Sequence, residues 1–190
     1  MTRLVTYSMS TSLDGYVVGP DGGFDWSVPD EKVFRLAMEE VRGVGVHLLG
    51  RRLHETMLFW ETAEEDQELT EPEREFAVLW RALPKVVLSR TLTPAQVRGS
   101  NTRLAAGTLA EEVVRLRDEP GPGDLAIGGA TLAAEAAALD LIDEYRIRVY
   151  PVLVGGGTPY FARHPRQVDL ELLESRAIGS VLSLRYRVPR

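Results

Sequence analysis

Asp124-Leu125-Ala126-Ile127-Gly128-Gly129-Ala130-Thr131-Leu132 is the stretch whose reading decides the fold. Leu125 to Ile127 reads as a short buried strand, two glycines remove every Cβ at the turn, and Ala130 to Leu139 is almost wholly helix-forming. A strand that runs through glycines into a helix leaves backbone N–H groups unpaired at the helix start, where the helix dipole favours an anion such as phosphate. Glycine also lets a ligand approach the backbone and tolerates positive φ. Taken alone, the same nine residues suit a tight turn in which small residues simply pack.

Working outward, two more junctions have this shape. Gly45 to Leu49 reads as a buried strand followed directly by Gly50-Arg51-Arg52-Leu53-His54-Glu55-Thr56. Cations in a first helical turn oppose the dipole, so an anionic ligand would offset a cost there. The alternative is that both arginines face solvent or pair with the acidic run downstream. Lys85 to Ser89 reads as a third strand, ending at Ser89-Arg90-Thr91. Each junction is weak evidence by itself. Together they match the rule that α/β sheets bind ligands beyond the carboxyl ends of their strands.

The remaining segments fill in the topology. Arg3 to Met9 is an opening strand. Ser10 to Gly22 is long and partly apolar, with a Gly-Pro-Asp-Gly turn at its end; Leu13, Tyr16 and Val17 want cover, so the segment is expected to fold over a ligand. Asp14-Gly15 is also readable as a plain turn. Trp26 suits stacking on a flat ring or a place in the core. Ser27, Pro29 and Asp30 start a helix whose inner face is Val33, Phe34, Ala37, Met38 and Val41. Glu61 to Glu75 reads as a solvated loop running into a helix, with Phe76, Leu79, Trp80 and Leu83 inward. Thr102 to Leu104 suits a short strand, and Thr108 to Arg117 an amphipathic helix halted by Glu119-Pro120-Gly121-Pro122-Gly123. Tyr145 to Tyr150 alternates, with Arg146 and Arg148 on an expected exposed face. Pro151 to Val154 leads into Gly155-Gly156-Gly157, a flexible or ligand-hugging loop, and Leu170 to Val188 reads as a β-hairpin. This order predicts one α/β domain: a three-layer α/β/α arrangement with a central mixed, mostly parallel sheet and a C-terminal antiparallel hairpin.

Composition narrows the function classes. The 190 residues are 44% hydrophobic and 26% charged, with net charge −6. That balance argues against nucleic acid or an anionic membrane as the main partner. Lys32 and Lys85 are the only lysines, so arginine supplies nearly all the cationic charge. The absence of cysteine excludes disulfides, thiol catalysis and cysteine-ligated metal. No signal-like start or membrane-length apolar run is visible, making cytoplasmic the default expectation. His47, His54 and His164 lack ligand spacing, so no metal site is expected, and no Walker loop, nucleophile elbow or Gly-x-Gly-x-x-Gly fingerprint is present.

At the level of motifs the chain resembles a known family. Leu49 to Glu55, Val87 to Arg90 and Ile127 to Leu132, in that order and spacing, look like the dihydrofolate reductase superfold. Ser12-Leu13-Asp14-Gly15-Tyr16, Asp143-Glu144 and Pro151 to Gly157 look more specifically like its riboflavin-biosynthesis branch, the reductase domain of bifunctional deaminase-reductases. The resemblance runs from about Arg3 to Tyr186. It implies NADPH-dependent hydride transfer to a small-molecule substrate, either the ribosylated aminopyrimidine of riboflavin biosynthesis or a pterin such as dihydrofolate. The alternative is a nucleotide-binding protein without turnover on the same fold. By resemblance, Gly50, Arg51 and Arg52 lie at the helix receiving cofactor phosphates. Ser89 and Arg90 meet the adenosine ribose and its 2′-phosphate. Gly128, Gly129, Ala130, Thr131 and Leu132 line the pyrophosphate and nicotinamide ribose. The Asp14 loop covers the substrate, with Gly15, Trp26 and Gly156 as further candidate contacts. A homodimer is implied too, with the Arg146/Arg148 face as a candidate contact.

Three departures stand out. Leu53 occupies a position where the family often has Thr. The deaminase half is missing, and no cysteine is available for its zinc, so the resemblance implies a stand-alone reductase domain. The acid that would assist protonation is open: Glu31 is the nearest counterpart by its distance after Pro29, Asp14 and Asp25 compete, and each also reads as a plain loop or helix-start acid. Arg163 and Arg166 suit either a substrate phosphate or solvent.

Overall fold

The computed structural model describes residues 3–162 and 166–189. In chain order its strands are β1 (Val5–Ser12), β2 (Tyr16–Val18), β3 (Val44–Gly50), β4 (Lys85–Leu88), β5 (Thr102–Leu104), β6 (Asp124–Gly128), β7 (Glu144–Tyr150), β8 (Thr158–Pro159), β9 (Glu171–Ile178) and β10 (Val181–Arg187). Eight of them form one sheet in the order β5-β4-β3-β6-β1-β7-β10-β9, while β2 and β8 make a small separate ladder. From β5 to β7 all pairings are parallel; β10 runs antiparallel to β7, and β9 to β10. This is the mixed sheet with a terminal hairpin that the segment order predicts. β1 lies at its centre, with Val5 opposite Leu125 on one side and Tyr7 opposite Tyr145 on the other.

Helices cover both faces because the strands alternate. Val46, Leu48, Leu125 and Ile127 point one way and pack with Leu109, Val113 and Leu116 of α5 (Leu109–Asp118) and Leu132, Ala133 and Ala136 of α6 (Ala130–Ala138). Leu49 points the other way, toward Met38 of α1 (Glu31–Arg42) and Phe76 and Trp80 of α4 (Glu71–Ala82). Two short helices, α2 (Arg51–Met57) and α3 (Phe59–Asp66), follow β3.

Two expectations need correction. Residues 61–66 belong to α3 and are not a solvated loop, because Ala63 is fully buried and Trp60 stacks edge-on against Phe76. An acidic run with an apolar residue every three positions is an amphipathic helix. The Arg146/Arg148 face is not exposed: Arg148 is held by Glu40 of α1 at 2.8 Å and by Ser8 at 2.9 Å, and Arg146 by Glu144 at 2.6 Å. It is not the exposed surface expected for a dimer contact.

The two edges of the sheet differ electrostatically. At the amino edge, helix C-termini point inward and cations bind their carbonyls. Lys85 Nζ donates to Trp80 O at 2.5 Å and Leu83 O at 2.8 Å, and Arg3 donates to Leu116 O and Gly123 O. At the carboxyl edge, α1 is capped by Asp30, and α4 and α5 by Thr-Glu capping boxes at Thr70/Glu73 and Thr108/Glu111. The helices α2 and α6, which start at Gly50 and Gly129, have no side-chain cap.

Candidate functional site

The helices α2 and α6 begin side by side. Leu49 of β3 pairs with Gly128 of β6, so the first turns of α2 and α6 open onto the same stretch of the carboxyl edge. In α6 the first intrahelical acceptor is used by Ala133, which donates to Gly129 O, leaving the N–H groups of Ala130, Thr131 and Leu132 for an outside partner. Thr131 is exposed, whereas Leu132 packs inward. Gly129 has φ +96°, a conformation that requires glycine, and so sets the angle of the turn.

Gly128 plays another part than the one expected. A Cβ built there would lie 2.6 Å from His47 Cε1 and 2.8 Å from both Leu49 Cδ2 and Leu53 Cδ2. The space on the Cβ side of Gly128 is thus filled by the protein's own side chains, so the missing side chain serves β3–α2–β6 packing. The same contact explains Leu53, whose methyl closes this gap.

Cations gather on one side of the two helix starts. Arg51 bonds Glu55 at 2.7 Å and Thr91 Oγ1 at 2.9 Å, tying α2 to the end of β4. Ser89 Oγ accepts the Thr91 and Leu92 N–H groups, each at 3.2 Å, and so shapes the turn that presents Arg90. Arg52 and Arg90 are exposed and have no side-chain partner among the described residues. Thr91, the last of the Ser89-Arg90-Thr91 triplet, adds a hydroxyl that holds Arg51 in place.

On the other side, β1 and β7 end in a stitched pair of loops. Asp14 Oδ2 accepts Gly155 N–H at 2.7 Å and Oδ1 accepts Val154 N–H at 3.2 Å; Leu13 N donates to Val152 O, and Tyr160 N to Gly15 O. The neighbouring Ser12 hydroxyl, reinforced by these N–H groups, lowers the Asp14 pKa. A carboxylate held in its charged form is a poor proton donor but a good anchor. Gly155 and Gly156 have positive φ with open space around them, while Gly157 abuts the backbone of β2. Trp26 meets Tyr150 edge to face at 6.1 Å between ring centres, and both pack near Val33, Val152 and Val181. Trp26 Nε1 and Tyr150 Oη are buried without a hydrogen-bond partner among the described residues. Burial raises the Tyr150 pKa; Ser10 is close enough to oppose this, though not in hydrogen-bond geometry. Alternation placed Tyr150 among the arginines and concealed its role.

The other candidate acids are not buried. Asp25 is exposed on a single 3-10 turn, Asp25–Ser27. Glu31 faces solvent in the first turn of α1, paired with Arg35 at 2.7 Å. Glu31 is therefore a helix-start acid and not a buried proton donor. Arg166 pairs with Asp140, just past the C-terminus of α6 at the amino edge, so it is not placed to hold a substrate phosphate here. Arg163 and His164 lie outside the described residues. Desolvation takes the His47 pKa down to about 4 and also lowers that of His54, and the described residues contain no cluster of metal ligands. A cleft of about 590 Å³ opens at the amino edge between Arg3, Lys85 and Pro122. Size alone would nominate it. Its cations Arg3 and Lys85, however, are engaged by helix carbonyls, and the uncapped helix starts lie at the opposite edge, so the chemistry favours the carboxyl edge.

Comparison with known proteins bears on the family and the fold. A family model described as RibD C-terminal domain matches residues 3–184. The uncharacterized protein YyaP of Bacillus subtilis is 26% identical over 179 residues, covering 94% of this chain and 90% of its own. Among solved structures, a Shewanella sp. PV-4 protein provisionally assigned to riboflavin biosynthesis superposes with a TM-score of 0.75 at 25% identity, covering 99% of both chains. Dihydrofolate reductase from Enterococcus faecalis, solved with NADP(H), has a TM-score of 0.61 at 14% identity, covering 98% of this chain and 97% of its own, and shares the fold. No helix among the described residues is long and apolar enough to cross a membrane.

Proposed function

The chain belongs to the RibD C-terminal domain family, and on that premise we propose that it is an NADPH-dependent reductase of a small heterocycle, either the ribosylated aminopyrimidine of riboflavin biosynthesis or a pterin such as dihydrofolate. The observation that carries this reading is the pair of uncapped helix starts at Gly50 and Gly129, set between free arginines on one side and the Asp14-anchored loops on the other. The N–H groups of Ala130 and Thr131 would hold the pyrophosphate. Arg52 and Arg90 would meet the 2′-phosphate, with Arg51 steadied by Glu55 and Thr91 beside them. Bound there, NADPH supplies the hydride. Asp14 keeps Val154 and Gly155 in place, so the loop that covers the reacting ring has one shape.

A second reading has one observation in its favour. None of Asp14, Asp25 and Glu31 is a buried acid, which suits a nucleotide-binding protein without turnover. Titration by quenching of tryptophan fluorescence, followed by NADPH oxidation with each ring, separates the two. The reductase reading expects NADPH to bind about ten-fold or more tightly than NADH, consistent with one charge-assisted contact, and to be consumed with one of the substrates. Equal affinity for the two cofactors would refute the role given to the arginines, and tight binding without consumption would favour the binding protein.

A further inference from the structure

The turn after β4 hydrogen-bonds to its surroundings through a single side chain. Among the described residues, residues 89–92 make no backbone–backbone hydrogen bond. Ser89 Oγ accepts the N–H groups of Thr91 and Leu92 and lies 3.3 Å from Thr91 Oγ1, which closes the turn on itself. The bond that leaves the turn runs from Arg51 Nη1 to Thr91 Oγ1, at 2.9 Å.

Arg51 depends on the same bond. Its other contact is Glu55, one helical turn along α2 at 2.7 Å, and both side chains are about half exposed, 49% and 48%. An exposed ion pair at this spacing is weak, and it holds the guanidinium only at Nε, leaving the plane free to swing. Thr91 takes a second corner, so the plane is fixed at two points by acceptors from two different elements. The remaining N–H groups of Arg51 are not engaged among the described residues, and a fork held this way presents them in one orientation. Arg90 is exposed and directly precedes Thr91. The hydroxyl that holds Arg51 therefore belongs to the turn that carries the second cation.

Resting on the reading of this edge as the NADPH site, we infer that Thr91 is a positioning residue that sets the preference for a 2′-phosphate without touching it. By holding Arg51 against the turn that carries Arg90, it brings two guanidiniums to bear on one anion. Without that hold Arg51 is tethered by Glu55 alone, and the phosphate must order the side chain as it binds. A ribose with a 2′-hydroxyl has no charge for the pair to meet, so its binding is indifferent to how Arg51 is held.

The test is calorimetric titration of the full chain with 2′,5′-ADP and with 5′-AMP, which isolate the adenosine end from the hydride chemistry. The unaltered protein should prefer 2′,5′-ADP by about ten-fold or more. Thr91→Val keeps the side-chain shape and removes the hydroxyl. It should weaken 2′,5′-ADP about three- to ten-fold and leave 5′-AMP within about two-fold. The melting temperature should stay within about 2 °C, because Thr91 is exposed. Thr91→Ser should restore the preference. In an Arg51→Ala background Thr91→Val should have no further effect, since the residue it acts through is gone. An unchanged preference in Thr91→Val, equal weakening of both probes, or a Thr91→Ser variant as weak as Thr91→Val would overturn the proposal. So would an undiminished effect in the Arg51→Ala background, because Thr91 would then meet the phosphate itself, and so would an unaltered protein that prefers neither probe. The reductase reading fails in a distinguishable way: the probes and variants rank as stated, yet NADPH is consumed with neither ring.

Discussion

Gly128→Ala tests whether the central glycine turn is closed by the protein or open to ligand. The added methyl would stand 2.6–2.8 Å from three side-chain atoms, those of His47, Leu49 and Leu53. Leu49 has no freedom to yield: it is fully buried and lies on the strand paired to Gly128. Leu53 is only half-buried and can move, which caps the penalty. Overpacking of this kind costs about 1–3 kcal/mol, and in a domain of this size each kcal/mol lowers the melting temperature by about 2–4 °C. A fall of roughly 2–12 °C is therefore expected, with the urea midpoint moving in step and the m-value constant. Below the melting range the affinity for NADPH should stay within about two-fold, since the new methyl points at His47 and away from the helix start. An unchanged urea midpoint would refute the reasoning. So would a large loss of NADPH affinity at full stability, because the glycine would then be facing the ligand.

Arg90→Ala should weaken NADPH about ten-fold by titration while leaving NADH unaffected, because the lost contact is to the 2′-phosphate alone. Asp14→Ala should lower kcat/KM by freeing the Val154–Gly155 loop, with little change in melting temperature; a conservative Asp14→Glu that restores activity would separate anchoring from general packing. His47 titrates at about 4 in the fold because burial penalises its charged form, against about 6.5 when unfolded. The unfolded chain therefore takes up a proton that the fold refuses. The stabilisation is complete above about pH 6.5 and is lost as pH falls toward 4, by up to about 3 kcal/mol; His47→Gln should flatten that slope in urea unfolding across the window. Lys85→Met should destabilise by about 2 kcal/mol or more, since Trp80 O and Leu83 O would lose their buried donor, which chemical denaturation would register.

The layers of the fold were legible because they rest on periodicity. Alternation at Leu48/Leu49 and the apolar spacing of α1, α4 and α5 state which face each residue covers, and strand-turn-helix order does the rest. The acidic residues 61–66 misled because charge density was read ahead of Ala63 and Trp60, whose spacing marks a helix. For the site, the positions of Gly50, Ser89 and Gly129 at strand ends could be read locally. What Gly128, Arg148 and Glu31 do could not, because each is decided by a partner far along the chain or by solvent: Leu53 over the glycine, Glu40 and Ser8 on one arginine, open water around the acid. The absence of caps on α2 and α6 is in principle visible, since Gly replaces the Asp or Thr that opens α1, α4 and α5.

The central position of β1 has a consequence for how the chain is made. Its residues are made well before those of its two neighbours, β6 and β7, with Val5 waiting for Leu125 and Tyr7 for Tyr145. At about 5–20 residues per second, β1 spends roughly 6–24 s as an apolar strand with both edges unpaired. Meanwhile β3, β4 and β5, which pair with one another, can already assemble. Ser8, Ser10 and Ser12, alternating with Tyr7 and Met9 along β1, keep the waiting strand from being apolar on both faces. The sheet is thus closed from its middle, late, by a strand made before the neighbours it pairs with.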